Sequence, residues 1–249
     1  GYAYAVNKAV ELSKSDIVIV ANSDIKIAPK NIKELFKCIE FVRQDQKIAV
    51  CGCQQRYFDN ALQRSVGLIP GYYENLINIF GMAKYVERQF QKKQCPIILN
   101  KGFYIDGAFL IFNRSNFMTL SGFDELFKFY GEETEFCHRA HSGGYKVAFY
   151  RSCEIHHKRG GSSEHLLKNN GSRKVQLLTL AKLNIAKSRY KNIYFYSLLL
   201  TFEILTRLFI FSFLSFIYKT PANERRRKNS IARLNTLIKW LKNNEINYF

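Results

Sequence analysis

A short run of apolar residues, Ile17–Ala21 (IVIVA), places the strongest constraint on the fold. It is rich in β-branched side chains and has no polar interruption, which is typical of a parallel strand covered on both faces. Residues 1–14 before it carry apolar positions at helical spacing, and a second helix with the same spacing is predicted from Pro29. Residues 48–53 predict another strand. Helices that alternate with buried strands predict an α/β fold with a doubly wound sheet.

The alternation continues downstream after one irregular stretch. Residues 54–100 are rich in Tyr, Gln and Asn and predict loops and short helices, which commonly line substrate sites. Residues 103–112 predict an apolar strand that Asp106-Gly107 interrupts. A helix with a Ser-Gly-Gly end and a last strand are predicted over residues 132–150. We therefore expect a doubly wound domain, with a mostly parallel sheet flanked by helices, over residues 1–190.

The C-terminal tail, residues 191–249, has a different character. Residues 193–218 are intensely apolar, but Glu203 and Arg207 interrupt them and leave apolar runs shorter than the roughly 20 residues that cross a bilayer. Because these two residues are four apart, they are predicted to pair on one helix face. The chain then ends in a basic amphipathic segment that suits an anionic membrane surface. We predict a helical, membrane-associating extension that lies at the interface or packs on protein.

The balance of charge limits the partners of the chain. Lys and Arg number 38 against 20 Asp and Glu, a formal net charge of +18, which attracts nucleic acid, anionic lipid or phosphorylated substrates. The six cysteines form no CxxC pair, and most lie in apolar stretches, which predicts buried, reduced thiols of a cytosolic protein. The first residue, Gly1, already opens a predicted helix, so we expect further residues upstream of it.

Asn22-Ser23-Asp24 follows the first predicted strand at its C-terminal end, where open α/β sheets place their ligand chemistry. The Asp24 carboxylate could hold a divalent cation that bridges a diphosphate, with polar contacts from Asn22. An ordinary turn explains the same residues, because Asn and Asp are common turn formers. Both interpretations stay open on these residues alone.

An acidic cluster, Glu132-Glu133-Thr134-Glu135, opens the helix predicted from residue 132. The helix dipole and the free backbone amides favour carboxylates at a helix start, which is a sufficient structural explanation. The aromatic stretch at residues 127–130 would partly desolvate a carboxylate and raise its pKa towards that of a useful general base. Arg139 is four residues after Glu135 and is predicted to pair with it, which leaves Glu133 for chemistry.

Two adjacent histidines, His156 and His157, precede the stretch Gly160-Gly161-Ser162-Ser163. Histidine can ligate a metal ion, and glycines let backbone amides approach phosphate oxygens. A surface loop is the alternative interpretation of the same residues.

Taken in order, these residues resemble the family 2 glycosyltransferases, in particular their rhamnosyltransferase-like branch. Each motif is weak by itself, whereas the ordered set, which spans about residues 1–165, is specific. The motifs are Gly1-x-Ala3-x-Ala5-x-Asn7, Asn22-Ser23-Asp24, Asp106-Gly107-Ala108, Gly122-Phe123-Asp124-Glu125, Tyr130-x-Glu132-Glu133-x-Glu135, Arg139 and His157-x-x-Gly160-x-Ser162.

The resemblance implies a GT-A fold, whose Rossmann-like sheet binds a nucleotide-diphosphate sugar as donor, often with Mg2+ or Mn2+. Asp24 would be the metal-binding acid of a DxD-like motif in which Asn22 replaces the first Asp. His157 would assist at the metal ion or the diphosphate, although His156 could take this part, because one residue of register is not settled by a single sequence.

The resemblance also implies the remaining site residues. Glu133 falls on the second acid of the family's acidic pair and would be the catalytic base, next to Glu132. Asp106 and Gly107 would lie near the sugar or the acceptor, and Asn7 near the nucleotide. The family begins with a strand whose Asp recognises the base of the nucleotide, and no residue of this sequence supplies it.

These observations predict an inverting transferase that moves a sugar from the donor to an acceptor hydroxyl. The basic, apolar tail predicts a lipid-linked glycan acceptor, as in bacterial surface polysaccharide synthesis. It also predicts a cytoplasmic protein that is peripheral at the inner face of the cell membrane. A catalytically inactive assembly partner is one alternative. A nucleic-acid-binding protein is another, which we do not expect because no recognised binding motif accompanies the charge.

Overall fold

The computed structural model is a mixed α/β protein. It describes residues 1–90, 95–127, 129–158 and 171–243. The strands are β1 Ile17–Ala21, β2 Ile25–Lys26, β3 Ile48–Arg56, β4 Val66–Leu68, β5 Ile97–Ile98, β6 Phe103–Ile105, β7 Phe109–Asn113 and β8 Lys146–His157. The helices are α1 Tyr2–Leu12, α2 Ile32–Gln44, α3 Tyr72–Ile79, α4 Ala83–Gln89, α5 Arg114–Thr119, α6 Glu132–Ser142, α7 Gly171–Arg189, α8 Ile193–Tyr218 and α9 Pro221–Asn243.

The chain divides into two compact units. The first comprises Gly1–Ile69 with Tyr85–Glu164, and the second comprises Pro70–Lys84 with His165–Phe249. The segment that contains α3 therefore belongs with the C-terminal helices. The boundary at residue 190, between the domain over residues 1–190 and the tail over residues 191–249, stays a prediction.

A six-stranded sheet forms the centre of the first unit. Its order is β1-β7-β3-β8-β2, and β5 pairs with β8 as well. The predicted α/β class, a central sheet flanked by helices with a helical C-terminal extension, is confirmed. The sheet is mixed rather than mostly parallel: β3 and β8 run parallel, whereas the β1–β7, β3–β7, β2–β8 and β5–β8 pairs are antiparallel. A buried apolar run has the same appearance in either direction, so the sequence pattern did not reveal the direction of β7.

Strand β1 lies at one edge of this sheet and pairs with β7 from Ile17↔Asn113 to Ala21↔Phe109. Ile19 is 39% exposed. The expectation of a parallel strand covered on both faces is therefore wrong for the described residues. Strand β1 pairs antiparallel with β7, and an apolar run reports neither the direction of a strand nor how fully its faces are covered.

Strands β3 and β8 are longer than predicted, and their extensions position the candidate site. They pair in parallel as far as Arg56↔His156, past a register shift between Cys53 and Gln54. The predicted ends, at residues 53 and 150, were placed where the apolar residues stop. Backbone pairing continues through polar residues, so the C-terminal ends of β3 and β8 lie side by side.

Four helices, α3 and α7 to α9, make up the described part of the second unit. Their core is apolar and contains Leu183, Tyr196, Leu200, Leu237 and Trp240. By length and composition alone, helix α8 is the one helix in the described ranges that is long and apolar enough to cross a membrane, although Glu203 and Arg207 lie within it. The predicted pairing of Glu203 with Arg207 is confirmed, with 3.0 Å between Glu203 Oε1 and Arg207 Nε.

Candidate functional site

Asp24 and His157 meet where β2 pairs with the end of β8. Ile25 lies opposite His157 in this ladder, and the distance from His157 Nε2 to Asp24 Oδ1 is 3.3 Å. The backbone N–H of Lys158 donates to the Asp24 carbonyl at 3.1 Å. His157 is buried, so water screens little of the interaction between these two side chains.

Gln63 fixes the orientation of the His157 ring. Its Oε1 lies 3.3 Å from His157 Nδ1, and its Nε2 donates to the His157 carbonyl oxygen. An amide oxygen only accepts, so this contact assigns the proton to Nδ1 and leaves Nε2 facing Asp24. A proton or a metal cation between His157 Nε2 and the Asp24 carboxylate would make this contact attractive.

The neighbouring histidine has a different environment. His156 Nε2 lies 3.0 Å from Asn60 Oδ1, because successive residues of a strand point to opposite faces of the sheet. The structure therefore places His157, and not His156, beside Asp24. The glycine-rich stretch at residues 160–163 lies outside the described residues.

Asn22 and the Asp106-Gly107 pair are brought side by side. The Asn22 N–H donates to the Ala108 carbonyl at 3.0 Å, which continues the β1–β7 ladder by one step. Asp106 and Gly107 lie in the turn between β6 and β7. Asp106 Oδ1 is 3.3 Å from Gln55 Nε2, and Asp106 Oδ2 is 3.8 Å from Arg64 Nη2.

Glu133 lies against Gly107. A Cβ atom built on this glycine would be 3.3 Å from Glu133 Cδ, which is closer than most real Cβ contacts. Burial raises the pKa of Glu133 to about 8, and the charges of Glu132 and Asp106 act in the same direction. Burial also raises the pKa of Glu132, to about 7. A carboxyl group that titrates close to neutral pH suits general base catalysis.

Helix α1 contributes a residue that the sequence did not indicate. The hydroxyl oxygen of Tyr2 and Oε2 of Glu132 are buried, and neither has a hydrogen-bond partner within the described part of the chain. Burial, followed by the charges of Glu132 and Glu133, raises the pKa of Tyr2. Tyr2 therefore stays a neutral phenol beside the acidic pair, with a proton to donate.

Several glutamines at the end of β3 were missed as well. Gln54 and Gln55 are almost fully buried, and so is Gln63. Gln54 Nε2 donates to Ser65 Oγ at 3.0 Å, and the Gln55 N–H donates to the same oxygen at 2.8 Å. The sequence signal was available, because Gln54-Gln55-Arg56 directly follows a buried apolar run, but polar composition suggested a loop.

Arg139 and Asn7 have structural contacts. The predicted pairing of Arg139 with Glu135 is confirmed, with two nitrogen–oxygen distances of 2.6 Å. Asn7 Nδ2 donates to the Phe123 carbonyl at 2.8 Å, and the Phe123 N–H donates to Asn7 Oδ1 at 2.8 Å. The structure thus places Asn7 against the loop at residues 122–125 and not with Asp24 and His157. Its contact with the nucleotide stays a prediction.

The donor atoms of Asp24 and His157 fit a divalent cation. One carboxylate oxygen and one imidazole nitrogen suit Mn2+, and Mg2+ is commonly held by one or two protein carboxylates together with substrate phosphates and water. Among the residues that the structure describes, no group of three or more His, Cys, Asp or Glu side chains converges on a common point.

Comparison of the sequence with protein-family models and with curated proteins finds no match. Comparison of the structure finds a similar fold in the mannosyltransferase PcManGT from Pyrobaculum calidifontis, solved in complex with GDP-Man and Mn2+. The TM-score is 0.55 at 13% sequence identity, and the match covers 98% of this chain and 68% of that chain. The predicted glycosyltransferase fold is confirmed by this likeness. Membership of family 2 and of the rhamnosyltransferase-like branch stays a prediction.

Proposed function

We propose that this chain transfers a glycosyl group from a nucleotide-diphosphate sugar to an acceptor hydroxyl, with inversion at the anomeric carbon. The observation that carries the proposal is the position of Glu133. Its carboxyl group lies over Gly107, and the backbone beside that glycine hydrogen-bonds to the strand end that leads to Asp24. A candidate base and a candidate diphosphate site therefore flank the same turn, Asp106–Ala108.

Glu133 would act as the general base. As the acceptor oxygen bonds to the anomeric carbon, its proton passes to the Glu133 carboxylate, and the bond from that carbon to the diphosphate oxygen breaks on the opposite face. The raised pKa of Glu133 makes its carboxylate a stronger base than an exposed one. The negative charge of Glu132 acts in the same direction.

Asp24 and His157 would hold the divalent cation. When bound, the cation would offset the charge that develops on the departing diphosphate. Gln63 would keep the His157 ring in position, as an outer partner does for many ligating histidines. The cation in the PcManGT complex supports this part of the proposal only by analogy of fold.

The acceptor and the location are finer parts of the same proposal. A formal charge of +18 favours an anionic acceptor, and the apolar surface of α8 favours one that is anchored in lipid. A lipid-linked glycan at the cytoplasmic face of the cell membrane, as in bacterial surface polysaccharide synthesis, meets both conditions.

Thermal stabilisation by a panel of nucleoside diphosphates and their sugars, with and without Mn2+, tests the donor site. We expect one nucleotide to raise the melting temperature in the presence of Mn2+, and we expect Asp24→Ala and His157→Ala to abolish the shift. His156→Ala is the matched control and should retain it. An equal loss in both histidine variants would contradict the assignment of His157. Binding without turnover of any donor sugar would favour the inactive assembly partner.

A further inference from the structure

A buried cluster of charges in the second unit determines which face of α8 is left outside. Glu203 is 1% exposed, and its carboxylate oxygens lie 3.1 Å from Arg233 Nη1, 3.0 Å from Arg207 Nε and 3.5 Å from Lys182 Nζ. Lys182 Nζ is also 2.8 Å from Glu74 Oε1. Both charged residues of α8 are thus turned into the unit, where helices α3, α7 and α9 supply their partners.

The outward face of α8 is consequently apolar along its whole length. Seven large apolar side chains, each more than 45% exposed, follow one another at spacings of three and four residues and so share one face of the helix. They are Phe195, Leu198, Phe202, Leu205, Phe209, Phe213 and Phe216. At 1.5 Å per residue this apolar stripe is about 32 Å long. Only 22% of the most apolar window of α8 is buried, and monomeric soluble proteins rarely expose an apolar surface of this extent.

Helix α9, which packs against α8, carries the positive charge. Arg225, Arg226 and Lys228 are exposed near its beginning, and Lys239 and Lys242 are exposed near its end. An apolar stripe accompanied by exposed lysine and arginine is the pattern of a segment that lies at the surface of an anionic bilayer.

We propose that the pair of helices α8 and α9 binds in the plane of a lipid bilayer that contains anionic lipid. The apolar stripe of α8 enters the region between the headgroups and the acyl chains, and the basic residues of α9 contact the headgroups. This inference does not depend on the proposed transferase activity, because it rests on the second unit alone.

Insertion across the bilayer is disfavoured by the same charge cluster. A spanning α8 would carry Glu203 and Arg207 into the hydrocarbon, and their partners Lys182 and Arg233 would have to follow on two further helices. The polar sequence of α9 makes it unfit to cross beside α8. Pairing with a second copy is disfavoured by electrostatics, because it would bring two basic α9 helices and two chains of charge +18 together.

Vesicle flotation tests the proposal with a matched pair of variants. The double variant Phe209→Glu/Phe216→Glu places two charges in the apolar stripe, whereas Phe36→Glu changes a side chain of similar exposure, 66%, on α2 of the first unit. Vesicles of phosphatidylcholine alone are compared with vesicles in which about one lipid in three is the anionic phosphatidylglycerol. Circular dichroism verifies that both variants retain their helices.

We expect the wild type and Phe36→Glu to float with anionic vesicles, and we expect the double variant to lose at least about tenfold in the partition coefficient. Neutral vesicles should bind more weakly, and alkaline carbonate should release the bound protein. Equal flotation of the double variant would overturn the proposal, as would retention after carbonate treatment, which indicates a spanning helix. A dimer in solution that the double variant abolishes, with no flotation of the wild type, would assign the stripe to a second copy instead.

Discussion

Replacing Glu133 with Gln should stabilise the first unit at alkaline pH. In the folded protein burial raises the pKa of Glu133 from 4.5 to about 8. Between these values the folded state keeps the proton and the unfolded chain releases it. The stability that belongs to the protonated form is therefore complete below about pH 4.5 and is lost as the pH rises through 8. Gln is neutral at every pH, so the variant avoids this loss.

The size of the effect follows from the change in proton affinity. A tenfold change in proton affinity corresponds to about 1.36 kcal/mol. Raising the pKa of Glu133 from 4.5 to about 8 therefore costs the folded wild type roughly 5 kcal/mol of stability above pH 8. Water reaches part of the Glu133 side chain, and we therefore expect a smaller gain, about 2–4 kcal/mol. For a unit of this size such a gain raises the melting temperature by about 5–10 °C.

Thermal unfolding of the ligand-free protein at pH 5, 7 and 9, followed by circular dichroism, measures this gain. The difference between Glu133→Gln and the wild type should be small at pH 5 and largest at pH 9. Glu40→Gln, which removes a carboxylate from the surface of α2, is the control and should show no such trend. Fluorescence of Trp240, the single tryptophan, reports on the second unit and should be unaffected. A difference that does not depend on pH, or a variant less stable than the wild type at pH 9, would refute the reasoning.

Three further substitutions test other contacts. Gly107→Ala crowds the Glu133 carboxyl group and should lower kcat at least about tenfold, with little change in donor KM. A Cβ atom at Gly102 meets no atom within 4 Å, so Gly102→Ala is the control and should leave kcat unchanged. Asn7→Ala removes three hydrogen bonds to the loop at residues 122–125 and should lower the free energy of unfolding by about 1–3 kcal/mol; a larger effect on donor affinity would support the predicted nucleotide contact. Glu203→Ala leaves three partly buried cations without their shared, buried partner and should destabilise the second unit by about 3–5 kcal/mol in denaturant unfolding.

The α/β class was predictable because the period of apolar residues reports burial directly. Leu35, Ile39 and Val42 of α2 pack on the core as their spacing predicts, although Phe36 of the same helix is 66% exposed. The direction of β7 was not predictable, because an antiparallel and a parallel strand that are both buried differ only in hydrogen bonding. The division of the chain was equally hidden, since α3 joins the C-terminal helices through contacts more than 100 residues apart, such as that of Lys182 with Glu74.

Parts of the candidate site were visible in the sequence and parts were not. The structure places Asp24 next to His157, two residues that the resemblance assigns to one metal or diphosphate site, and it places Gly107 next to Glu133. Tyr2 could not be foreseen, and the buried glutamines were missed although Gln54 and Gln55 directly follow a buried apolar run. A tyrosine in an amphipathic helix gives no sign of what its hydroxyl meets, and polar residues in a strand look like a loop until their partners are known.

The most direct test of the central claim is transfer itself, measured with the donor that stabilises the protein. With Mn2+ and a lipid-linked glycan acceptor, the wild type should release nucleoside diphosphate and form a product of inverted anomeric configuration. The rate should rise with pH as Glu133 ionises, with a midpoint near pH 8 and a plateau above it. Glu133→Gln should still bind the donor but release at least about a hundredfold less nucleoside diphosphate. Undiminished turnover in Glu133→Gln, or a product of retained configuration, would contradict the account.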